Sequence, residues 1–188
     1  MSTDAVHPEL LHLDPALQDR LFRTARTPKK FRPDPVSAEQ LAAIGDLVKW
    51  GPTMTNSQPL RVVLARSADA RAQVIERLMP YNAERAADAP VLGVFCADHA
   101  FERHIDRIFP GAAPIAERYR ADAAFRDRVA DSQSWMQCGY WVAGVRAAGL
   151  DILPMMGFDA DAMDAWLRPQ QDALFPGADL RSIMVGAI

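Results

Sequence analysis

The sequence predicts an α+β fold in which a small, mainly antiparallel sheet of about four strands is surrounded by roughly six or more helices. Three observations carry that reading. Strand signals do not alternate regularly with helix signals, which disfavours a doubly wound parallel sheet. The helix signals bring their own start and stop residues. Finally, 49% of the 188 residues are hydrophobic and 24% charged, the balance of a globular chain that buries a real core. One domain over residues 1–188 is expected, with residues 1–13 as a flexible N-terminal arm. No repeat, linker or low-complexity segment divides it.

The elements follow in order. Asp14 reads as an N-cap with Pro15 in the first helical position, where a missing N–H costs nothing. Leu17, Leu21 and Phe22 give this helix an apolar stripe, and Pro28 argues against its continuing. Ser37-Ala38-Glu39-Gln40 is a capping box, with Val36 and Leu41 placed as a hydrophobic staple. Leu41, Ile44, Leu47 and Val48 keep helical spacing until Gly51-Pro52 ends the helix. A loop over 51–59 leads into a strand from Arg61 to Arg66, then a helix over 69–79 with Val74, Ile75, Leu78 and Met79 inward. Residues 81–87 read as a short helix or turn before a buried strand at 90–97.

Residues 99–130, broken by Pro110, Gly111 and Pro114, read as two helices. The most apolar helix runs from about Ser132 to Ala148, with Trp135, Cys138, Trp141, Val142 and Val145 on one side. Gly139, Ala143 and Ala147 repeat along it as a flat stripe. Apolar nearly all round, this helix is expected to be buried, in the core or between subunits. Gly149 is placed for a C-cap. An extended stretch from Leu150 to Gly157, a short helix capped by Asp159 and ending before Pro169, and a strand from Leu180 to Ile188 complete the chain.

Composition excludes several functions. A net charge of −3 does not suit a general nucleic-acid binder. No run approaches the ~18 apolar residues of a membrane helix, and the polar N-terminus does not resemble a secretory signal. Cys96 and Cys138 are far apart among apolar neighbours, read as buried free thiols of a reducing cytoplasm. Gly-x-Gly-x-x-Gly, Walker and Gly-x-Ser-x-Gly motifs are absent. His99 and His104, with Asp98, Glu102 and Asp106, lie on different helical faces and read as a solvated charged surface, so no metal site is expected.

Four segments remain: the basic cluster Arg26-Thr27-Pro28-Lys29-Lys30, the uncharged hydrogen-bonding loop Gly51 to Pro59, Asn82 with Arg85, and the apolar turn Leu153 to Phe158. Alone, each is an ordinary turn or loop. Together they match what a flavin mononucleotide demands. Its phosphate wants cations, its pyrimidine edge wants amides and hydroxyls, N5 wants a backbone N–H, and the ring faces want apolar cover. The cofactor carries the hydride chemistry, so no catalytic residue of the chain's own is required.

From about Phe22 onward the chain resembles the nitroreductase superfamily, nearest its malonic semialdehyde reductase branch. The resemblance rests on Ala25-Arg26-Thr27, Lys49-Trp50-Gly51-Pro52-Thr53 continuing to Asn56 and Pro59-Leu60-Arg61, and Ala89-Pro90-Val91. It continues through Met136-Gln137, Tyr140, Arg146 to Asp151, and Pro154-Met155-Met156-Gly157-Phe158-Asp159. It implies a homodimer with FMN in the subunit interface and NADH or NADPH as hydride donor. Arg26, Thr27 and Lys29 would serve the phosphate and pyrimidine edge. Pro52, Thr53, Met54 and Asn56 would reach the partner's flavin. Asn82 and Arg85 would lie near the pyrimidine ring, and Met155, Met156 and Gly157 beside the ring system, offering a backbone N–H to N5.

Two features depart from the family. Met156 stands where many relatives are acidic, and the sequence stops at Ile188 where relatives continue into a basic tail, so either such a tail lies beyond this sequence or phosphate binding leans on Arg26 and its neighbours. The expected activity is ping-pong hydride transfer to a nitroaromatic, quinone, enone or short semialdehyde. Arg61 is a candidate for a substrate carboxylate, with a salt bridge as its other role. A flavin-storing or sensing protein with little turnover is the alternative.

Overall fold

The computed structural model describes residues 11–111 and 113–188; residues 1–10 of the expected N-terminal arm lie outside the described residues. Local chemistry sets most helix starts. Asp14 accepts the Ala16 N–H to cap α1 (Pro15–Gln18), which widens into a π-helical stretch, Asp19–Arg23. Ser37 and Gln40 make both bonds of the capping box on α2 (Ala38–Val48). Ser67 caps α3 (Ala68–Ile75), Pro80 begins α4 (Pro80–Ala86), and the chain continues through α5 (Ile105–Ile108) and α6 (Ala113–Ala121). Asp122 caps the long α7 (Ala123–Ala147), and Asp159 caps α8 (Ala160–Leu174).

Strands β1 (Leu60–Ala65), β2 (Leu92–Asp98), β3 (Leu153–Met155) and β4 (Leu180–Ala187) form one sheet in the order β1-β2-β4-β3, every pair antiparallel. The most apolar run of the chain becomes β2, buried along its whole length next to β4. Helices cover both faces. On one, Val74 and Leu78, with Met163 and Leu167 of α8, pack on Leu92, Val94, Cys96 and Val185. On the other, Leu41 and Ile44 of α2 and Cys138 and Val145 of α7 pack on Phe95, Ile152 and Met184. A Cβ at Gly144 would stand 2.4 Å from Val48 Cγ1, so this glycine sets how closely α2 and α7 approach.

The structure corrects several expectations. α7 starts at Ala123, not near Ser132, because Asp122 supplies a cap and Phe125, Val129 and Ala130 pack with Phe101, Ile105 and Tyr119. Within one chain its core face is buried and its other side is open: Trp135 and Met136 are each 38% exposed, and Gly139, Ala143 and Ala147 lie outside the core clusters, so of the two expected settings the core accounts for only one side. α8 runs through Pro169 instead of ending before it, and Ala165 and Pro169, where the helical bond is missing, both lie on the exposed side. Leu17 and Phe22 of the first helix are exposed. His99 is buried, not solvated: the start of α7 lies over the end of β2 and sets Asp127 Oδ1 3.1 Å from one ring nitrogen and Asp131 Oδ1 2.9 Å from the other. Cys96 and Cys138 are free and buried as expected.

Candidate functional site

The residues singled out in the sequence gather into two groups at opposite edges of the sheet. The first surrounds the turn that leaves β3. There the carbonyl of Gly157 accepts the Met79 N–H at 3.0 Å and Asn82 Nδ2 at 2.9 Å, tying the turn to the start of α4. A Cβ at residue 157 would meet Asn82 Nδ2 at 2.6 Å, so the contact requires glycine. One turn on, Arg85 donates to the Pro28 carbonyl at 3.0 Å, which fixes the basic segment beside the same helix. Asn82, Arg85, Thr27, Lys29 and Met155 to Gly157 are thus joined through named contacts or direct neighbours. Met155 belongs to the core, whereas Met156 is 71% exposed.

This edge fits a flavin. Thr27 and Lys29 are exposed and, among the described residues, their side chains make no hydrogen bond. Asn82 spends its donor on Gly157 and keeps its amide oxygen as an acceptor. Arg26 stands slightly apart. Its guanidinium donates to the carbonyls of Arg23 and Ala25, both at 2.8 Å, and borders a polar cavity of about 570 Å³ with Arg20, Arg146 and Asp151. The carboxylates of Asp19 and Asp151 share this lining with the three guanidiniums, which leaves the cavity a small positive excess.

The second group is the loop before β1. Thr55, Asn56 and Gln58 have φ of 55°, 53° and 47°, a left-handed conformation that costs roughly 1–2 kcal/mol for each residue with a Cβ. The fold supplies compensating contacts. Gln133 Oε1 accepts the Met54 N–H at 2.7 Å, and Tyr140 Oη donates to the Pro52 carbonyl at 2.9 Å. Gln137 donates to Gln58 Oε1 at 2.8 Å and accepts the Leu60 N–H at 3.0 Å. Thr55 gives its hydroxyl proton to Met54 O, so Tyr119 is the donor in the 2.9 Å contact between the two hydroxyls. Asn56 Nδ2 donates to Ile108 O at 3.1 Å. Sequence reasoning found the loop but missed this clamp. The available signal was polar Gln133, Gln137 and Tyr140 at i, i+4 and i+7 on an otherwise apolar stretch.

Arg61 starts the neighbouring strand. Its Nη2 lies 3.0 Å from Asp98 Oδ2, and its Nη1 donates to Gln58 O at 2.7 Å and Leu60 O at 2.9 Å. Asp98 is fully buried and also receives Arg103 at 2.8 Å and the backbone N–H groups of Ala100 and Asp179. Burial lowers the pKa of the Arg61 guanidinium, with the Asp98 carboxylate opposing. Of the two roles considered for Arg61, the salt bridge is the arrangement present, although its side chain still borders a small cavity of about 170 Å³ with Gln58, Gln137 and Trp141.

Between Gly51 and the end of α7 runs an apolar groove of about 280 Å³ walled by Leu21, Leu47, Val48, Tyr140, Ala143 and Ala147. Leu47 and Trp50 beside it are 57% and 78% exposed. No described helix is long and apolar enough to cross a membrane. Among the described residues no cluster of three or more His, Cys, Asp or Glu side chains is arranged to hold a metal.

Known proteins resemble this chain in sequence and in fold. The chain matches the sequence model described as "Nitroreductase family" over residues 22–175. It is 41% identical, over 80% of its length and 76% of the relative's, to a Streptomyces griseus protein provisionally named NADH dehydrogenase/NAD(P)H nitroreductase. A Leptothrix cholodnii protein of the same provisional name is 35% identical over 92% of this chain and 84% of its own. In fold it resembles an Exiguobacterium sibiricum protein, provisionally termed a nitroreductase, solved in complex with FMN, at a TM-score of 0.74 and 13% identity. That likeness covers 91% of this chain and 86% of the other. It also resembles an enone reductase of gut-bacterial fatty acid saturation, at a TM-score of 0.74 and 18% identity, over 93% and 88% of the two chains.

Proposed function

Because the chain belongs to the nitroreductase family, we propose that it is an FMN-dependent oxidoreductase, working as a homodimer, that takes hydride from NADH or NADPH and passes it to a small acceptor. The observation that carries this reading is the joined edge of Asn82, Gly157, Arg85 and the 27–29 segment, which sets an amide acceptor, a cation and an apolar turn around one surface. FMN, when bound, supplies the hydride chemistry. The chain's own residues bind and orient it. Lys29 and Arg85 would place positive charge near the cofactor, Asn82 would offer its free amide oxygen as an acceptor, and the 155–157 turn would give it apolar cover.

The topology supports a dimer. β1 and β3 are the two edges of a four-stranded sheet, so about 14 Å of sheet separates the 52–56 loop from the 155–157 turn in one chain. A second copy docked on the apolar groove of α2 and α7 would bring its own loop to this turn and cover Leu47, Trp50 and the small-residue stripe. Two chains together then complete each site.

The acceptor is a small electrophile, a nitroaromatic, quinone, enone or short semialdehyde, entering after the nicotinamide leaves. Arg61, committed to Asp98, is assigned a structural part. The test is a visible absorption spectrum of the purified protein, repeated without oxygen after NADH or NADPH is added. Flavin bands that bleach are the expected result. Bands that persist would favour a flavin-storing or sensing role, and no bands after FMN is supplied would overturn the reading.

A further inference from the structure

The 52–58 loop keeps a conformation that its residues do not favour. Thr55 is β-branched and left-handed at φ 55°, Asn56 follows at 53°, and Gln58 repeats the conformation at 47°. Asn tolerates this region and threonine does not. No glycine lies between Gly51 and Pro59 to relieve it. Something outside the loop must therefore hold it. Thr55 and Asn56 are held from elsewhere, by Tyr119 and the Ile108 carbonyl, while one helical face holds the residues around them: Gln133, Gln137 and Tyr140 of α7 reach Met54, Gln58 with Leu60, and Pro52 in turn.

We propose that Gln133, Gln137 and Tyr140 are positioning residues, which lock the loop to α7 and so set where Pro52, Thr53 and Met54 meet the cofactor. The proposal rests on the flavin reading given above. The two glutamines work differently. Gln133 uses only its oxygen on the loop, and among the described residues its nitrogen makes no bond beyond a 3.3 Å contact with Ser132 Oγ. Gln137 is buried and uses both ends of its amide, one as donor to Gln58 and the other as acceptor from Leu60. A glutamate can therefore replace Gln133, because a carboxylate still accepts from Met54. It cannot replace Gln137, where the lost N–H would face the Gln58 oxygen. Tyr140 also walls the apolar groove, so the face that would carry the second copy is continuous with the loop clamp.

The experiment uses the full chain and two readouts: FMN titration, and amide hydrogen exchange at Met54 and Leu60. Gln133→Ala should weaken FMN binding roughly tenfold and remove the protection of the Met54 amide. Its melting temperature should be unchanged, since alanine suits a helix and the side chain is part-exposed. Gln133→Glu should keep both binding and protection near wild type, whereas Gln137→Glu, which keeps an acceptor for Leu60 but loses the donor to Gln58, should weaken FMN binding as the Gln133→Ala variant does. Gln133→Ala with unaltered exchange at Met54 would overturn the proposal, as would Gln133→Glu behaving like the alanine variant. A wild-type chain that binds no FMN would instead overturn the flavin reading, and Met54 exchange would still decide whether the clamp exists.

Discussion

Asn82 and Gly157 are fitted to one another: the carboxamide nitrogen donates to the Gly157 carbonyl at 2.9 Å, and any side chain at 157 would begin 2.6 Å from that same nitrogen. Gly157→Ala should therefore expel the Asn82 amide and lower stability by about 1–3 kcal/mol. Asn82→Ala should remove the obstacle, so the double variant should be less damaged than the sum of the two. A coupling of about 0.5–3 kcal/mol in urea denaturation is expected, and strict additivity would show that the contact matters little.

The buried Asp98 balances two part-buried guanidiniums, so removing it leaves both without their carboxylate. Asp98→Ala should destabilise the protein by about 3–5 kcal/mol. Arg61→Met, which deletes one cation and leaves Arg103 on the carboxylate, should cost less. If Arg61 is structural, that variant should change KM equally for acceptors with and without a carboxylate. A selective rise in KM for the carboxylate-bearing acceptor would give Arg61 a binding role after all.

Burial pushes the Asp127 carboxyl up, but contact with His99 and the nearby Arg181 and Arg126 guanidiniums bring its pKa below the ordinary value of 3.8. The sign of the linkage follows. A carboxyl with a depressed folded-state pKa contributes stability above its unfolded pKa and loses it as pH falls through the folded one. Melting temperatures between about pH 7 and about pH 3 should show this loss at the acid end. Asp127→Asn should be less stable near neutrality and should flatten the acid slope. An unchanged slope would place the acid sensitivity elsewhere.

Burial pushes the Cys138 thiol up to about 12 and raises that of Cys96 as well. Neither should react with a thiol reagent in the native protein at mildly alkaline pH, because the thiolate is the nucleophile. Both should react once the chain is unfolded. A fast-reacting thiol in the native state would mean that the core opens locally near α7 or β2.

The apolar groove of α2 and α7 predicts an assembly of two 20.8 kDa chains. Ala143→Arg puts a charge into that groove without touching the core clusters. Light scattering should then report a single chain, with FMN lost at the same time because the partner's loop is gone. A monomeric variant that keeps FMN affinity would show that one chain suffices for binding.

Much of this protein was legible in the sequence because its signals are local. A cap and the backbone N–H it accepts lie two or three residues apart, as at Asp14, Ser37 and Asp159, and the apolar run of β2 reports its own burial. The family resemblance likewise lies in short ordered motifs. What tertiary structure alone decided are contacts between distant segments. Met54 meets Gln133 across 79 residues, and Asn82 meets Gly157 across 75. The burial of His99 between two α7 carboxylates, and the commitment of Arg61 to Asp98, depend in the same way on which surfaces the fold presses together. A polar side chain's composition and spacing are the same whether it faces water or a buried partner. Only the path of the chain through space, which puts the loop at one sheet edge and the β3 turn at the other, settles what each residue touches.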